Sequence, residues 1–161
     1  MDDLRIRYAE DEDLAALAAL RWRWVVEENG KTPRGTRDEF IAAFVTWSRG
    51  HAASHRWIIA TRGDSIIGMA CLAAIPRVPH PQSPGVRASG DLQSVYVVPG
   101  ERNSGLGGQI LTAVSRQAGQ LELERVTVHS SPGAVSAYER AGFEVSPLLL
   151  CRPTPRERDG S

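Results

Sequence analysis

The chain has 161 residues, of which 42% are hydrophobic and 24% are charged. This composition predicts one soluble globular domain with a hydrophobic core, and the length leaves no room for a second full domain. The 19 basic residues balance the 19 acidic ones, so no overall positive field would hold the chain on nucleic acid or on an anionic membrane.

The cysteines and the apolar runs bear on metal binding, on disulfides and on where in the cell the protein is expected. Cys71 and Cys151 occur without CxxC spacing or a His/Cys ligand cluster, which argues against a metal site and against a disulfide framework. The longest apolar run, residues 66–75, is too short to cross a bilayer, and the acidic N-terminus does not resemble a signal peptide. We therefore expect a cytoplasmic protein that binds neither a metal nor a membrane.

The first part of the chain predicts a strand followed by two helices. Residues 4–8 alternate apolar and polar side chains, as a half-buried strand does. A helix should run from the acidic residues 10–13 to Asn-Gly at 29–30, because acidic residues favour the start of a helix and glycine its end. Thr36 and Glu39 have the spacing of a capping box, which predicts the start of a second helix.

The middle of the chain predicts an antiparallel hairpin and then a long loop. Residues 57–60 and 66–75 are apolar runs on either side of a turn at 62–64. The segment 76–90 contains four prolines and two glycines, so we expect an irregular loop with either a functional role or none.

A strand, a glycine-rich loop and a helix follow. Residues 92–98 form an apolar strand-like run, and an amphipathic helix begins in the loop 102–108. The first amides of a helix are unpaired and lie at the positive end of its dipole. Glycines at 105, 107 and 108 would let a phosphate approach them closely. The alternative is a tight turn in which small residues serve only packing.

The rest of the chain predicts an alternating strand at 125–129 and a short helix that starts at Pro132 and ends before Gly142. Two last strands are expected at 143–145 and 148–151. The order β-α-α-β-β-β-α-β-α-β-β is that of an α/β fold whose mixed sheet is parallel only where helices intervene.

Two motifs narrow the range of ligands that the glycine loop could bind. Ile110 stands where a dinucleotide fingerprint needs its third glycine, and the chain has no Gly-Lys-Ser/Thr of a P-loop. Residues 102–107 instead match Arg/Gln-x-x-Gly-x-Gly/Ala, and the helix ending in SAYERAGF (residues 136–143) resembles the pattern small-x-x-Tyr-Glu-x-x-Gly-Phe. With these motifs the sequence resembles the GCN5-related N-acetyltransferase (GNAT) family, whose element order is also the same. The resemblance covers residues 4–151.

The resemblance implies a single GNAT-like domain at 1–151 and a flexible tail at 152–161. Its mixed central sheet would have about seven strands and four flanking helices, with two strands splayed at the centre for acyl-CoA. The implied activity is transfer of an acetyl group from acetyl-CoA to a primary amine by direct attack in a ternary complex, without a metal.

The resemblance also assigns the cofactor contacts. Backbone groups of residues 96–98 would pair with pantetheine, an amide of Val97 or Val98 would face the acyl oxygen, and the loop would hold the pyrophosphate. Ser131 stands where the family often has asparagine. The implied cofactor-binding residues are Tyr96, Val97, Val98, Arg102, Asn103, Ser104, Gly105, Leu106, Gly107, Gly108, Gln109 and Ser131.

Two residues are candidates for the chemistry. Tyr138 matches the family tyrosine that donates a proton or a hydrogen bond to the coenzyme thiolate, and its alternative role is core packing. Asp91 is the candidate general base, with a solvent-exposed strand end as its alternative. The carboxylates at 27–28 could bind the amine or simply end a helix. His80 and His129 are further candidates for a base.

The acceptor and the assembly stay open at this point. The amine could belong to a small metabolite, an aminoglycoside-like antibiotic, a polyamine, or a peptide or protein. The family often forms homodimers, and the last strands are candidates for that contact. The competing functions are a non-catalytic acyl-CoA-binding sensor or assembly module, which would not need Tyr138, and an α/β domain whose loop binds nothing.

Overall fold

The computed structural model describes residues 2–154. Its strands are β1 (Leu4–Tyr8), β2 (His55–Arg62), β3 (Ser65–Arg77), β4 (Arg87–Val97) and β5 (Val126–Val128). Its α-helices are α1 (Leu14–Trp22), α2 (Arg37–Gly50), α3 (Leu106–Gln120) and α4 (Val135–Arg140).

The five strands form one mixed sheet in the order β1-β2-β3-β4-β5. The first three pairings are antiparallel, and β4 pairs with β5 in parallel. The parallel pair is the one joined through α3, because a parallel neighbour needs a crossover connection. The predicted α/β fold with a mixed sheet and four helices is therefore confirmed.

The prediction of two further strands after the last helix is wrong. Residues 143–145 and 148–151 form no strand, so the described sheet has five strands and not about seven. Leu148 donates its backbone N–H to Ser146 Oγ at 3.2 Å, and Pro147 has no N–H to give to a ladder. This turn diverts the backbone from the extended path that the apolar pattern predicts.

The C-terminal segment consequently exposes its apolar side chains. Val145 is 74% exposed, Leu148 is 88% exposed and Leu150 is 87% exposed. Residues 152–154 of the predicted tail are exposed coil, and the remainder of that tail lies outside the described residues. Within residues 2–154, no helix is long and apolar enough to cross a membrane.

The first helix has three consecutive parts. A 3-10 turn (Asp11–Asp13) leads into α1, and a π-helical segment (Arg23–Glu28) continues it. Gly30 follows with φ +64°, as the predicted stop requires. The π-helical geometry is a feature that the sequence pattern does not predict, and such segments often mark functional sites.

The capping box of α2 is confirmed, whereas the long loop is shorter than predicted. Glu39 donates its backbone N–H to Thr36 Oγ1 at 3.2 Å, and Thr36 donates its own to Glu39 Oε2 at 2.8 Å. Pro76 and Arg77 pair with β4, which reduces the loop to 78–86. Among the described strands, β2 pairs with β3 only as far as Ala73. Pro76 therefore has no strand neighbour on its other side, and its missing N–H breaks no ladder there.

The sheet buries a hydrophobic cluster on each face. Alternate residues of β2 separate the two clusters: Ile58 and Ala60 pack with α3, while Trp57 and Ile59 pack with α1 and α2. Ile110 of α3 is fully buried. The packing of this apolar stripe fixes the start of α3 beside the end of β4.

Candidate active site

A bulge bends β4 near its middle. Met69 lies opposite Tyr96 and Cys71 lies opposite Gln93, so two residues of β4, Ser94 and Val95, face a single residue of β3. Ser94 has φ +55°, a conformation that L-residues adopt rarely. The bulge reverses which residues face each side of β4 and redirects the chain that follows it.

Beyond the bulge, β4 leaves β5. The two strands share three residue pairs, the last of which joins Leu92 to Val128. Residues 93–97 therefore have no described strand on that side, and their backbone groups border a cleft. An extended ligand can pair with such an edge in the manner of an added strand.

The backbone groups that face the cleft can be assigned from alternation. Val98 donates its N–H to Ile67 O of β3 at 2.9 Å, so this amide is occupied. Neighbouring residues of a strand direct their backbone groups to opposite sides. Val97 and Val95 therefore face the cleft. Val95 is absent from the candidate residues found in the sequence, because a bulge leaves no periodic signal there.

The glycine loop meets this edge at the start of α3. Gly105 has φ +82° and is the residue that caps the helix, and Gln109 donates the first helical hydrogen bond, to Gly105 O. The amides of residues 106–108 consequently have no partner within the helix. A Cβ at Gly105, Gly107 or Gly108 would meet nothing within 4 Å, so these glycines leave open space and are not required for packing.

Arg102 is held by three neighbours at the end of β4. Its Nε donates to Val97 O at 2.9 Å, and its Nη2 lies 3.4 Å from Glu28 Oε2. The guanidinium also lies 5.5 Å from the centre of the Tyr96 ring. The hydroxyl of Tyr96 donates to Glu28. Glu28 thus has protein partners that compete with an amine, whereas Glu27 is exposed.

The side chain of Tyr96 is buried, and by the same alternation its backbone groups face β3 and not the cleft. Its ring stacks on Trp24 of the π-helical segment at 5.0 Å. Burial first, and the hydrogen bond to Glu28 second, raise the pKa of Tyr96 to about 12. The hydroxyl is therefore neutral at pH 7, and the residue anchors the π-helical segment to β4.

Tyr138 lies on α4, beside β5. It belongs to the hydrophobic cluster that contains Val95, Val97 and Val128, and its ring contacts Phe143 edge-on at 5.4 Å. Burial raises its pKa. Its hydroxyl forms no hydrogen bond within residues 2–154, and it lines a cavity of about 550 Å³ beside β5. The hydroxyl is therefore a protonated donor free to meet a ligand.

The other candidate residues occupy more ordinary positions. Ser131 precedes a 3-10 turn, and its hydroxyl makes no capping bond. His80 lies in the exposed loop 78–86, and His129 is exposed just after β5. The remaining loop residues, Asn103 and Ser104, are also exposed.

Asp91 lies on β4 before the bulge. It accepts a hydrogen bond from Gln93 Nε2 at 2.9 Å, and Thr127 of β5 lies 3.5 Å away. Val95 lies four positions further along β4, which at about 3.3 Å per residue is at most about 13 Å. A proton that leaves an amine near the bulge would therefore reach Asp91 through intervening polar groups or solvent.

Two adjoining cavities open on the face of the sheet covered by α1 and α2. The loop cavity, about 470 Å³, is lined by Arg21, Trp22, Val26, Pro33, Thr36 and Phe40 among others. The aromatic cavity, about 450 Å³, is lined by Arg21, Phe40, Phe44, Trp57, Gln93 and Ser94 among others. The described residues contain no group of three or more His, Cys, Asp or Glu suited to a metal.

Comparisons with known proteins agree with this geometry. A family model described as acetyltransferase (GNAT) domain matches residues 34–149. Among curated proteins, no sequence matches the chain.

Solved structures share the fold across almost the whole chain. A predicted acetyltransferase from Clostridium acetobutylicum, solved with acetyl-CoA, is 20% identical, with 93% of this chain and 96% of that chain covered and a TM-score of 0.75. A Trypanosoma brucei acetyltransferase is 22% identical, with 94% and 100% covered and a TM-score of 0.72. Glucosamine-6-phosphate N-acetyltransferase from Arabidopsis thaliana is 14% identical, with 94% and 99% covered and a TM-score of 0.69.

Proposed function

The chain belongs to the GNAT acetyltransferase family, and on that premise we propose that it transfers the acetyl group of acetyl-CoA to a primary amine by direct attack in a ternary complex. The observation that carries the proposal is the continuity of the free edge of β4 with the open glycine loop. Together they form one continuous binding surface. The backbone of β4 can form hydrogen bonds along an extended ligand, and the amides of residues 106–108 can bind an anion at the end of that ligand.

The glycine loop would take the pyrophosphate. The unpaired amides of residues 106–108 and the dipole of α3 favour an anion at this point. The absence of any atom within 4 Å of a Cβ at Gly107 or Gly108 leaves room for the phosphate oxygens. Arg102 to Gln109 make up this part of the proposed cofactor site, with Ser131 near the other wall.

The edge of β4 would take the pantetheine arm. Residues 96–98 remain in the proposed cofactor site. The free backbone groups supporting it are the N–H of Val97 and the groups of Val95, because Val97 O already accepts from Arg102 Nε. The amide of Val98 is already bonded to Ile67, so the acyl oxygen would accept from a cleft-facing amide instead. An amide placed there stabilises the negative charge that develops on the carbonyl oxygen during attack.

Tyr138 and Asp91 would handle the protons. As the amine attacks the thioester carbon, the C–S bond breaks and the thiolate leaves; Tyr138 donates a hydrogen bond or a proton to its sulfur. The raised pKa of Tyr138 keeps its hydroxyl protonated at neutral pH. Asp91 would accept the proton lost by the amine through intervening water.

The remaining expectations belong to the same proposal. We place the acyltransferase domain at residues 1–151 and the protein in the cytoplasm. The exposed apolar segment 143–151, next to the short edge strand β5, suits contact with a second copy of the chain.

Calorimetry with acetyl-CoA tests the cofactor site. We expect wild type to bind with a Kd on the order of micromolar and Gly107→Glu to lose binding, because its carboxylate would occupy the pyrophosphate position. Gly119→Glu is the matched control: the same substitution, in the same helix, at another glycine with open surroundings. It should bind as wild type does.

Two results would count against the proposal. Absence of acetyl-CoA binding by well-folded wild type would overturn the cofactor assignment. Equal binding by Gly107→Glu would place the coenzyme elsewhere. If binding is normal and no amine is ever acetylated, the non-catalytic acyl-CoA-binding module becomes the better description.

A further inference from the structure

Arg21 is a half-buried cation that no described carboxylate neutralises. It lies in the last turn of α1, where its Nη1 donates to Ser94 Oγ at 2.7 Å. Its guanidinium also lies 5.9 Å from the centre of the Trp24 ring. Seven other arginines of the described chain form ion pairs with carboxylates: Arg5, Arg7, Arg23, Arg49, Arg62, Arg87 and Arg102.

This arrangement is costly for the protein alone. Removing a cation from water without a partner is unfavourable, and burial lowers the pKa of Arg21. Cys71 is close enough to interact with Arg21, but burial raises the pKa of that thiol to about 12, so it is neutral at pH 7 and offers no compensating charge. The single bond to Ser94 uses one of five guanidinium N–H groups.

The free N–H groups of Arg21 adjoin space of the right size. Arg21 lines both the loop cavity and the aromatic cavity, whose volumes are in the range of small-molecule sites. Trp57 contributes to the wall of the aromatic cavity and is 8% exposed. Arg21 is a donor with unused N–H groups, so the cavity is suited to a ligand rich in acceptor atoms.

The position of Arg21 also fits the reaction. Ser94, which it holds, is the bulge residue directly before Val95, where the cleft for the acyl group begins. An acceptor whose anionic group rests on Arg21 would extend its amine toward the bulge within the length of a small molecule. The aromatic walls would cover the apolar part of that molecule.

We infer that the acceptor is a small amine that also carries an anionic group, a carboxylate or a phosphate, and that Arg21 binds this group. The inference rests on the proposed function in that it calls the bound molecule the acceptor; the anion site itself rests on Arg21 and the two cavities. It sets small anionic amines apart from polyamines and aminoglycosides, which carry only positive charge.

The test measures anion binding directly, without turnover. Phenyl phosphate and benzoate are titrated into the protein by calorimetry, with benzamide as the neutral analogue. Titrations are made with and without saturating CoA, which fills the pyrophosphate loop so that the anions report on a different site. The two anions distinguish a phosphate-bearing from a carboxylate-bearing acceptor.

Three variants separate binding by Arg21 from a role in shaping the bulge. Arg21→Gln should weaken anion binding about 10- to 100-fold, the effect of one charge-assisted pair, and leave benzamide unchanged. Ser94→Gly removes the contact of Arg21 with the bulge and tolerates the positive φ; it should keep anion binding within about threefold. Arg116→Gln, an exposed position on α3, should change nothing.

Specific outcomes overturn the inference. Benzamide bound by wild type as tightly as both anions would show no anion site. Ser94→Gly losing anion binding as fully as Arg21→Gln would show that Arg21 acts by holding the bulge. If acetyl-CoA fails to bind while Arg21-dependent anion binding persists, the anion site stands and the proposed function alone fails.

Discussion

Gly68 of β3 lies directly against Ile110 of α3, and this contact allows a quantitative test of the packing that positions the glycine loop. A Cβ at Gly68 would lie 2.7 Å from Ile110 Cδ1, 3.4 Å from Tyr96 O and 3.5 Å from Ala60 Cβ. Gly68 has no positive φ, so alanine is acceptable to the backbone. The main obstacle to Gly68→Ala is therefore the δ-methyl group of Ile110.

The expected cost follows from this contact. Carbon atoms pack at about 3.5–4.0 Å, so the methyl group must move by about 1 Å, and the fully buried Ile110 has no solvent to move into. Overpacking of this kind costs about 1–3 kcal/mol, and alanine recovers about 0.4–1 kcal/mol by restricting the unfolded chain. We expect Gly68→Ala to lower the free energy of unfolding by about 0.5–2 kcal/mol.

A double-mutant cycle isolates the cause. Ile110→Val removes the clashing Cδ1 and alone costs about 0.5–1.5 kcal/mol. Because the alanine then fills the vacated space, the double variant should be more stable than the sum of the single effects by about 1 kcal/mol. Urea denaturation measures all four proteins. Gly119→Ala, an open helical site, serves as the control and should be neutral or stabilising.

Two results would refute this reasoning. Additive effects, within about 0.3 kcal/mol, would show that Ile110 does not limit the space at Gly68. A stabilising Gly68→Ala would show that the interior yields without cost. Either result would mean that the packing of α3 on β3 does not fix the loop as tightly as the structure implies.

Three further predictions concern the chemistry, a helix end and pH. Tyr138→Phe should lower kcat about 100-fold and leave the acetyl-CoA Kd from calorimetry unchanged; an unchanged kcat would refute the donor role. Thr36→Ala should cost about 1 kcal/mol in urea denaturation, since the capping box with Glu39 is lost; no change would mean that the box adds nothing. Tyr96 has a folded pKa of about 12 above an unfolded value of about 10, so its contribution to stability is complete below pH 10 and is lost as the pH rises toward 12. Tyr96→Phe should make that alkaline loss shallower, and an equally steep loss would contradict the assignment.

Local patterns predicted the elements whose signals are local. Thr36 and Glu39 predicted the start of α2, and Gly142, with φ +95°, predicted the end of α4. Both signals are local because a helix cap depends on residues only a few positions apart. The bulge at Ser94 depends on how β4 pairs with β3, and the missing last strands depend on the turn at Ser146 and Pro147. The alternation of apolar residues predicts neither the bulge nor the absence of these strands.

The candidate site shows the same division. The motif at 102–107 located the loop, because glycine and helix start are contiguous in sequence. The occupied amide of Val98 depends on register with Ile67, and the bond between Arg21 and Ser94 joins residues that are 73 positions apart. Such relations arise only when the sheet has assembled.

Because β4 and β5 separate beyond Leu92 and Val128, a gap opens between these two strands, and no described segment of the chain fills it. If acetyl-CoA occupies it, part of the cohesion of the fold comes from a circulating metabolite and not from the polypeptide. At a concentration 100 times its Kd, such a ligand adds about 2.7 kcal/mol to stability. The lifetime of the protein against proteases would then follow the acetyl-CoA supply of the cell, and a destabilising substitution could stay silent in fed cells and appear only on starvation.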